Sequence, residues 1–153
     1  MGAIVEGSSI DGFEIIDLNP IKDERGMLMH MLRSDSEHFQ MFGEVYFSVT
    51  NPGVVKGWKK HLEMTQHFTV PVGTLKLVIL DQRKDSKTKG NVLKLTLNRD
   101  NYSLVKIPPM LWYSFQTSEE GEAMIANLTD LPHEPEESMV EAIETFNELY
   151  NWS

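Results

Sequence analysis

The chain has no cysteine. Disulfides, iron–sulfur clusters and thiolate nucleophiles are therefore excluded, and any metal would have to be held by the five His and the carboxylates. Basic residues are scarce as well: 14 Lys and Arg face 23 Asp and Glu, for a formal net charge of -9. Affinity for nucleic acid rests on clustered cations that release counterions from phosphates. No nucleic-acid partner is expected, and an anionic ligand has to find a local basic pocket. Long apolar runs are missing too. No stretch approaches the about 18 residues that span a bilayer, and Met1 to Ser9 has neither the basic nor the apolar segment of a signal peptide. The expectation is a cytoplasmic protein without a membrane partner.

What is present points to a packed fold. With 41% hydrophobic and 24% charged residues, the composition is that of a globular chain rather than a disordered one. A length of 153 residues suits one domain with one core, taken here as residues 1–153. Short segments rich in β-branched and aromatic residues recur with turn signals between them, the pattern of a sandwich or barrel. They include Phe13 to Leu18, Met27 to Leu32, Val45 to Thr50, Val54 to His61, Phe68 to Val72 and Thr74 to Leu80. Gly73 separates the last two as a tight turn. In Val92 to Leu97 the three leucines fall on one face and Lys94 and Thr96 on the other, a half-buried strand by its period of two. Ser103 to Ile107, Trp112 to Thr117 and Ala123 to Leu128 complete an all-β, antiparallel barrel over about residues 10–132. Ser34 to Phe42 has no clear period, and both a short helix and an irregular excursion remain open there. After the barrel, Ser138 with Glu141 fits a capping box, and Met139, Ile143, Phe146 and Tyr150 share one face at helical spacing. This predicts a C-terminal α-helix over about residues 138–151, its apolar stripe docked on the barrel or on a second subunit.

The chemistry concentrates between Gly53 and Gly73 and in Ile107 to Phe115. Pro52-Gly53-Val54-Val55-Lys56-Gly57-Trp58-Lys59-Lys60-His61, followed by Gln66-His67-Phe68-Thr69-Val70-Pro71-Val72-Gly73, resembles the first conserved block of cupins. Ile107-Pro108-Pro109-Met110-Leu111-Trp112-Tyr113 resembles the second. Lys59 stands at the first His position of that pattern and Tyr113 at the last. An ammonium repels a cation rather than ligating it, so no metal is expected, and the reading as a metal-dependent cupin oxygenase or isomerase is the weakest of three.

A fuller match is to metal-free cupins. Asp23-Glu24-Arg25-Gly26, Phe47 to Trp58, Gly73 to Arg83, Asp85-Ser86-Lys87-Thr88-Lys89-Gly90 and Ile107-Pro108-Pro109 occur in an order and spacing that resembles the dTDP-4-dehydrorhamnose 3,5-epimerases and their relatives acting on nucleotide-linked 4-keto sugars. The resemblance covers roughly residues 10 to 135. It implies a cupin-type jelly-roll sandwich, a homodimer, no cofactor, and proton removal from a carbon beside a ketone with return on the opposite face. Such a step needs a base, a donor for the enolate oxygen and an acid on the far side. In the resemblance the base position holds Lys59, the Arg before the glycine becomes Lys56, the enolate-stabilising Lys falls near Gln66, and a later His becomes Tyr113. The acid Tyr falls near Ala126 or Asn127, which have no hydroxyl.

Two accounts follow. In the first, burial and the like charges of Lys56 and Lys60 favour a neutral amine at Lys59, which acts as the base while Tyr113 or His61 supplies a proton or polarises the ketone. In the second, the chain keeps a sugar-nucleotide pocket or only its scaffold, without epimerisation. Arg25 either pairs with Asp23 or, as the resemblance implies, lies near the substrate phosphates. Trp58 either stacks on a base or sugar or belongs to the core.

Overall fold

The computed structural model describes residues 2–153. Its strands are β1 (Ile4–Gly7), β2 (Glu14–Asp17), β3 (Ile21–Asp23), β4 (Gly26–Leu28), β5 (Glu44–Thr50), β6 (Val55–His61), β7 (Gln66–Val72), β8 (Leu75–Leu80), β9 (Val92–Leu97), β10 (Ser103–Ile107), β11 (Trp112–Thr117), β12 (Ala123–Thr129) and β13 (Ser138–Val140). One sheet has the order β1-β9-β8-β11-β6-β13, the second β2-β10-β7-β12-β5, and β3 and β4 form a separate hairpin. Every strand pairing in the described residues is antiparallel. The two sheets face each other across one core, giving the jelly-roll sandwich of the cupins. Residues 29–43 between β4 and β5 contain neither strand nor helix, so the segment left open in the sequence is an irregular excursion.

Alternation decides which side chains meet inside. Leu75, Leu77 and Ile79 of β8 and Leu93, Leu95 and Leu97 of β9 pack with Phe68, Val70, Val105, Phe115 and Ile125 from both sheets. Strand β8 is buried on its other face as well. There Val78 and Leu80 join Trp58 and Trp112 beneath Ile143, Phe146 and Tyr150. Gly73 has the expected turn role: its φ is +79°, and a Cβ would lie 2.3 Å from the Glu122 carbonyl oxygen.

The C-terminal segment corrects the helix expected over residues 138–151. Ser138–Val140 extends as β13 along the edge of β6, with Val140 opposite Lys59, and Trp58 and Glu141 exchange two backbone hydrogen bonds of 3.0 and 2.9 Å. Among the described residues helical structure is limited to single 3-10 turns at Pro135–Glu137 and Ile143–Phe146. The physical reason is the open edge of β6, whose unpaired N–H and C=O groups offer a partner that an isolated amphipathic helix of this length does not outcompete. The docking was anticipated nonetheless: Ile143, Phe146 and Tyr150 do cover the barrel, while Met139 stays exposed. No helix among the described residues is long and apolar enough to cross a membrane.

Candidate functional site

A cavity of about 490 Å³ opens between the sheets, lined on one wall by Lys56, Gly57, Lys59, Tyr113 and Phe115, and on the other by Tyr46, Ser48, Phe68, Ile125 and Asn127. Strand β6 supplies the two lysines and β11 supplies Tyr113, which lies directly opposite Lys59 in the register. The register shifts at Ser114, where Gly57 takes a φ of +129° and leaves no room for a side chain: a Cβ would lie 2.7 Å from Ser114 Cβ. The Ser114 hydroxyl donates to the Lys56 carbonyl at 2.7 Å. Glycine at this close approach thus sets how the following Lys59 enters the cavity.

Neither Lys56 nor Lys59 makes an ion pair among the described residues. Lys60, expected to crowd Lys59, faces the other way; its Nζ sits 4.9 Å from the Trp112 ring centroid on the outside of the sheet. The sequence neighbour is therefore not a cavity neighbour, because successive residues of a strand point to opposite faces.

Behind Tyr113 lies a buried polar cluster. The Gln66 amide donates to the Tyr113 hydroxyl at 3.2 Å, which leaves the phenolic proton free for the cavity. Burial, with the Tyr46 and Glu137 charges adding to it, pushes the Tyr113 phenol far above its ordinary value, so this group is a proton-bearing donor at any working pH. His61 stacks on Tyr113 with ring centroids 6.4 Å apart, and its Nδ1 is 2.6 Å from Glu137 Oε1. Glu137 Oε2 in turn accepts the backbone N–H groups of Glu63 and Met64, each at 2.9 Å. Burial lowers the His61 pKa against the opposing pull of Glu137. Burial raises that of Glu137, but the N–H donors and His61 outweigh it, and the carboxyl is held below its ordinary range. The pair is accordingly a neutral imidazole donating Nδ1–H to a carboxylate, with Nε2 buried and unpartnered.

Of the residues singled out in the sequence, Lys56, Lys59 and Tyr113 meet in the cavity, and His61 and Gln66 stand behind its wall. Trp58 borders it, but the indole is wholly buried, edge-on to Phe146 at 5.6 Å, and donates Nε1–H to the Ile143 carbonyl at 3.1 Å; it is a core tryptophan. Arg25 lies elsewhere, at the tip of the β3–β4 hairpin, 83% exposed and paired with Asp23 at 2.5 Å. Within this chain it does not reach the cavity.

Three residues of the site escaped the sequence reading. Glu137 lay in the acidic stretch before the expected helix and had no visible partner. Tyr46 and Ser48 carried a usable signal: along β5 the polar residues Tyr46, Ser48 and Thr50 alternate with Val45, Phe47 and Val49, and the polar set faces inward. Across from it, the Asn127 amide donates to the Tyr46 hydroxyl at 2.8 Å while its carbonyl accepts the His67 backbone N–H at 3.3 Å. Among the described residues no three His, Asp or Glu side chains converge in the manner of a metal site.

The Asp81-x-Arg83 and Ser86-x-Thr88 elements serve the turn after β8. The fully buried Asp81 carboxylate accepts from Arg83 Nε at 2.9 Å and Nη2 at 2.8 Å, and from the Ser86 and Thr88 hydroxyls at 2.6 Å each. Burial opposes its ionisation, yet these bonds prevail and hold the carboxyl well below the usual carboxylate range.

Comparison with known proteins matches residues 7–146 to the family model described as dTDP-4-dehydrorhamnose 3,5-epimerase. The solved structure of a dTDP sugar isomerase from Desulfovibrio desulfuricans is 42% identical, with a TM-score of 0.88 over 94% of this chain and 91% of that one. A probable low-salt glycan biosynthesis epimerase of Haloferax volcanii is 33% identical over 78% of each chain. The spore coat polysaccharide biosynthesis protein SpsL of Bacillus subtilis is 28% identical over 94% of this chain and 97% of that one.

Proposed function

Because this chain belongs to the dTDP-4-dehydrorhamnose 3,5-epimerase family, we propose that its cavity receives a nucleotide-linked 4-keto-6-deoxyhexose and moves a proton on a carbon beside the ketone. The observation that carries the proposal is the pair of lysines, Lys56 and Lys59, without acidic partners in a cavity of a protein whose net charge is -9. Lys56 is exposed at the cavity and has no acidic partner, so its ammonium is free to meet an anion. The diphosphate of a sugar nucleotide supplies that anion at Lys56, near the rim. Lys59 takes the proton, and the Tyr113 hydroxyl donates to the ketone oxygen as enolate character develops. An amine base and a phenol donor suffice for this step without metal or organic cofactor. The names of two relatives, a dTDP sugar isomerase and a glycan biosynthesis epimerase, support the substrate class.

A second reading, binding without epimerisation, draws on Lys59 standing where the family pattern has His. One experiment separates the two: incubation with a dTDP-linked 4-keto-6-deoxyhexose in deuterated water, followed by NMR. Deuterium at C3 or C5 in the presence of the wild-type protein supports the first; saturable binding with no deuterium above the protein-free control supports the second.

We also infer a homodimer. Strand β5 is the edge of its sheet, and its outward residues Val45, Phe47 and Val49 are 47%, 63% and 51% exposed while its polar residues face inward. An apolar face on an unpaired edge is the kind of surface a second copy covers. Sedimentation at micromolar concentration tests it.

A further inference from the structure

Inversion at carbon requires the proton to leave from one face and arrive at the other, so base and acid have to stand on opposite sides of the bound ring. The two walls of the cavity lie about 10 Å apart, as packed sheets do, and they are chemically unlike. Lys59 and Tyr113 share the six-stranded wall, on adjacent strands, with His61 behind them. None of the three reaches the far face of a ring lying against that wall. The polar groups of the five-stranded wall are Tyr46, Ser48 and Asn127. An amide offers no proton of useful acidity, and an aliphatic alcohol is a far weaker acid than a phenol.

We propose that Tyr46 is the catalytic acid that delivers a proton to the sugar carbon on the face opposite Lys59. This rests on the reading given under Proposed function and assigns the group that completes it. The family's acid position falls at Ala126 or Asn127, where the chain has no hydroxyl; Asn127 and Tyr46 are cross-strand partners, so the neighbouring strand brings a phenol to the same level of the sheet. The hydrogen-bond polarity agrees. Asn127 has committed its carbonyl to the His67 N–H, so its amide donates to Tyr46, and the tyrosine proton is left to point elsewhere. Tyr46 also stays 37% exposed, where solvent can reload it after each turnover. The step balances without a co-reactant: the C–H bond breaks toward the Lys59 amine, the enolate carbon takes the Tyr46 proton, and the resulting ammonium and phenolate return to their starting states through solvent.

The test uses the full-length protein, a dTDP-linked 4-keto-6-deoxyhexose and deuterated water, comparing wild type with Tyr46→Phe. Wild type is expected to give inverted, deuterated product. In Tyr46→Phe, deuterium wash-in to recovered, uninverted substrate persists within about threefold, while inversion falls by about 10²-fold or more. A second variant, Tyr46→His, restores an acid and recovers part of the inversion; it also keeps the test decisive if Tyr46→Phe proves unstable in thermal unfolding. Equal inversion by Tyr46→Phe and wild type overturns the assignment, and so does equal loss of wash-in and inversion, which marks a structural role. A wild type that shows no wash-in overturns the functional reading first and this assignment with it.

Discussion

His61 Nδ1 and Glu137 Oε1 lie 2.6 Å apart, joining the last residue of β6 to the 3-10 turn just before β13. Both groups are displaced toward lower pKa, and both displacements act in the same sense on stability. Folding keeps His61 neutral, so its contribution is complete above the unfolded value of about 6.5 and is lost as pH falls below it. Glu137 contributes above its unfolded value of about 4.3 and loses that contribution as pH falls through its lower folded value. Urea unfolding is expected to show stability declining from pH 7.5 to 5.5 and more steeply from pH 5 to 3. In His61→Asn the upper part of this decline flattens.

Glu137 also satisfies the Glu63 and Met64 N–H groups. Glu137→Ala leaves those donors and the imidazole without a partner, at a cost of about 3 kcal/mol, read as a lower urea midpoint at pH 7.5.

Lys59 faces the cavity with no acidic partner. In Lys59→Met, deuterium wash-in is expected to fall by about 10²–10⁴-fold while dTDP-sugar binding, measured by calorimetry, changes little, because the diphosphate is assigned to Lys56. Loss of binding with retained exchange per bound complex contradicts the assignment of Lys59 as base.

Asp81 sits at the centre of a buried lock of Arg83, Ser86 and Thr88. Asp81→Ala leaves a partly buried guanidinium unpaired, and a loss of about 3 kcal/mol follows, visible in thermal unfolding. Catalysis per folded molecule should be unchanged, since the lock lies outside the cavity.

Phe47, exposed on the apolar face of β5, tests assembly. Phe47→Glu is expected to shift a sedimenting dimer to monomer with an unfolding temperature close to that of wild type monomer; an unchanged sedimentation coefficient removes this face from the interface.

Gly57 links fold and site. Gly57→Ala places a methyl against Ser114 and forces an L residue into positive φ, costing about 2 kcal/mol, and the displaced Lys59 lowers wash-in more than it lowers binding.

Much of this molecule could be read along the chain. Period-two alternation such as Leu93, Leu95 and Leu97 against Lys94 and Thr96 depends only on local backbone geometry, so the strands and their core faces were legible, as was the Gly73 turn. Lys56, Lys59 and Tyr113 were found because they sit in recognisable motifs. The C-terminal segment was misread for the opposite reason: Ile143, Phe146 and Tyr150 have helical spacing, but whether that segment coils or extends depends on the open edge of β6, a partner far away in sequence.

Residue order therefore determined the all-β architecture, the lack of thiol chemistry and the two lysines in the principal motif, because composition and alternation act through near neighbours. Tertiary structure decided which groups share the cavity: it turned Lys60 away, buried Trp58, paired His61 with Glu137 and set Tyr46 across from Lys59. Those outcomes depend on strand register and on which sheet each strand joins, and pairing at a sequence separation of 76, as between His61 and Glu137, leaves no local mark on the chain.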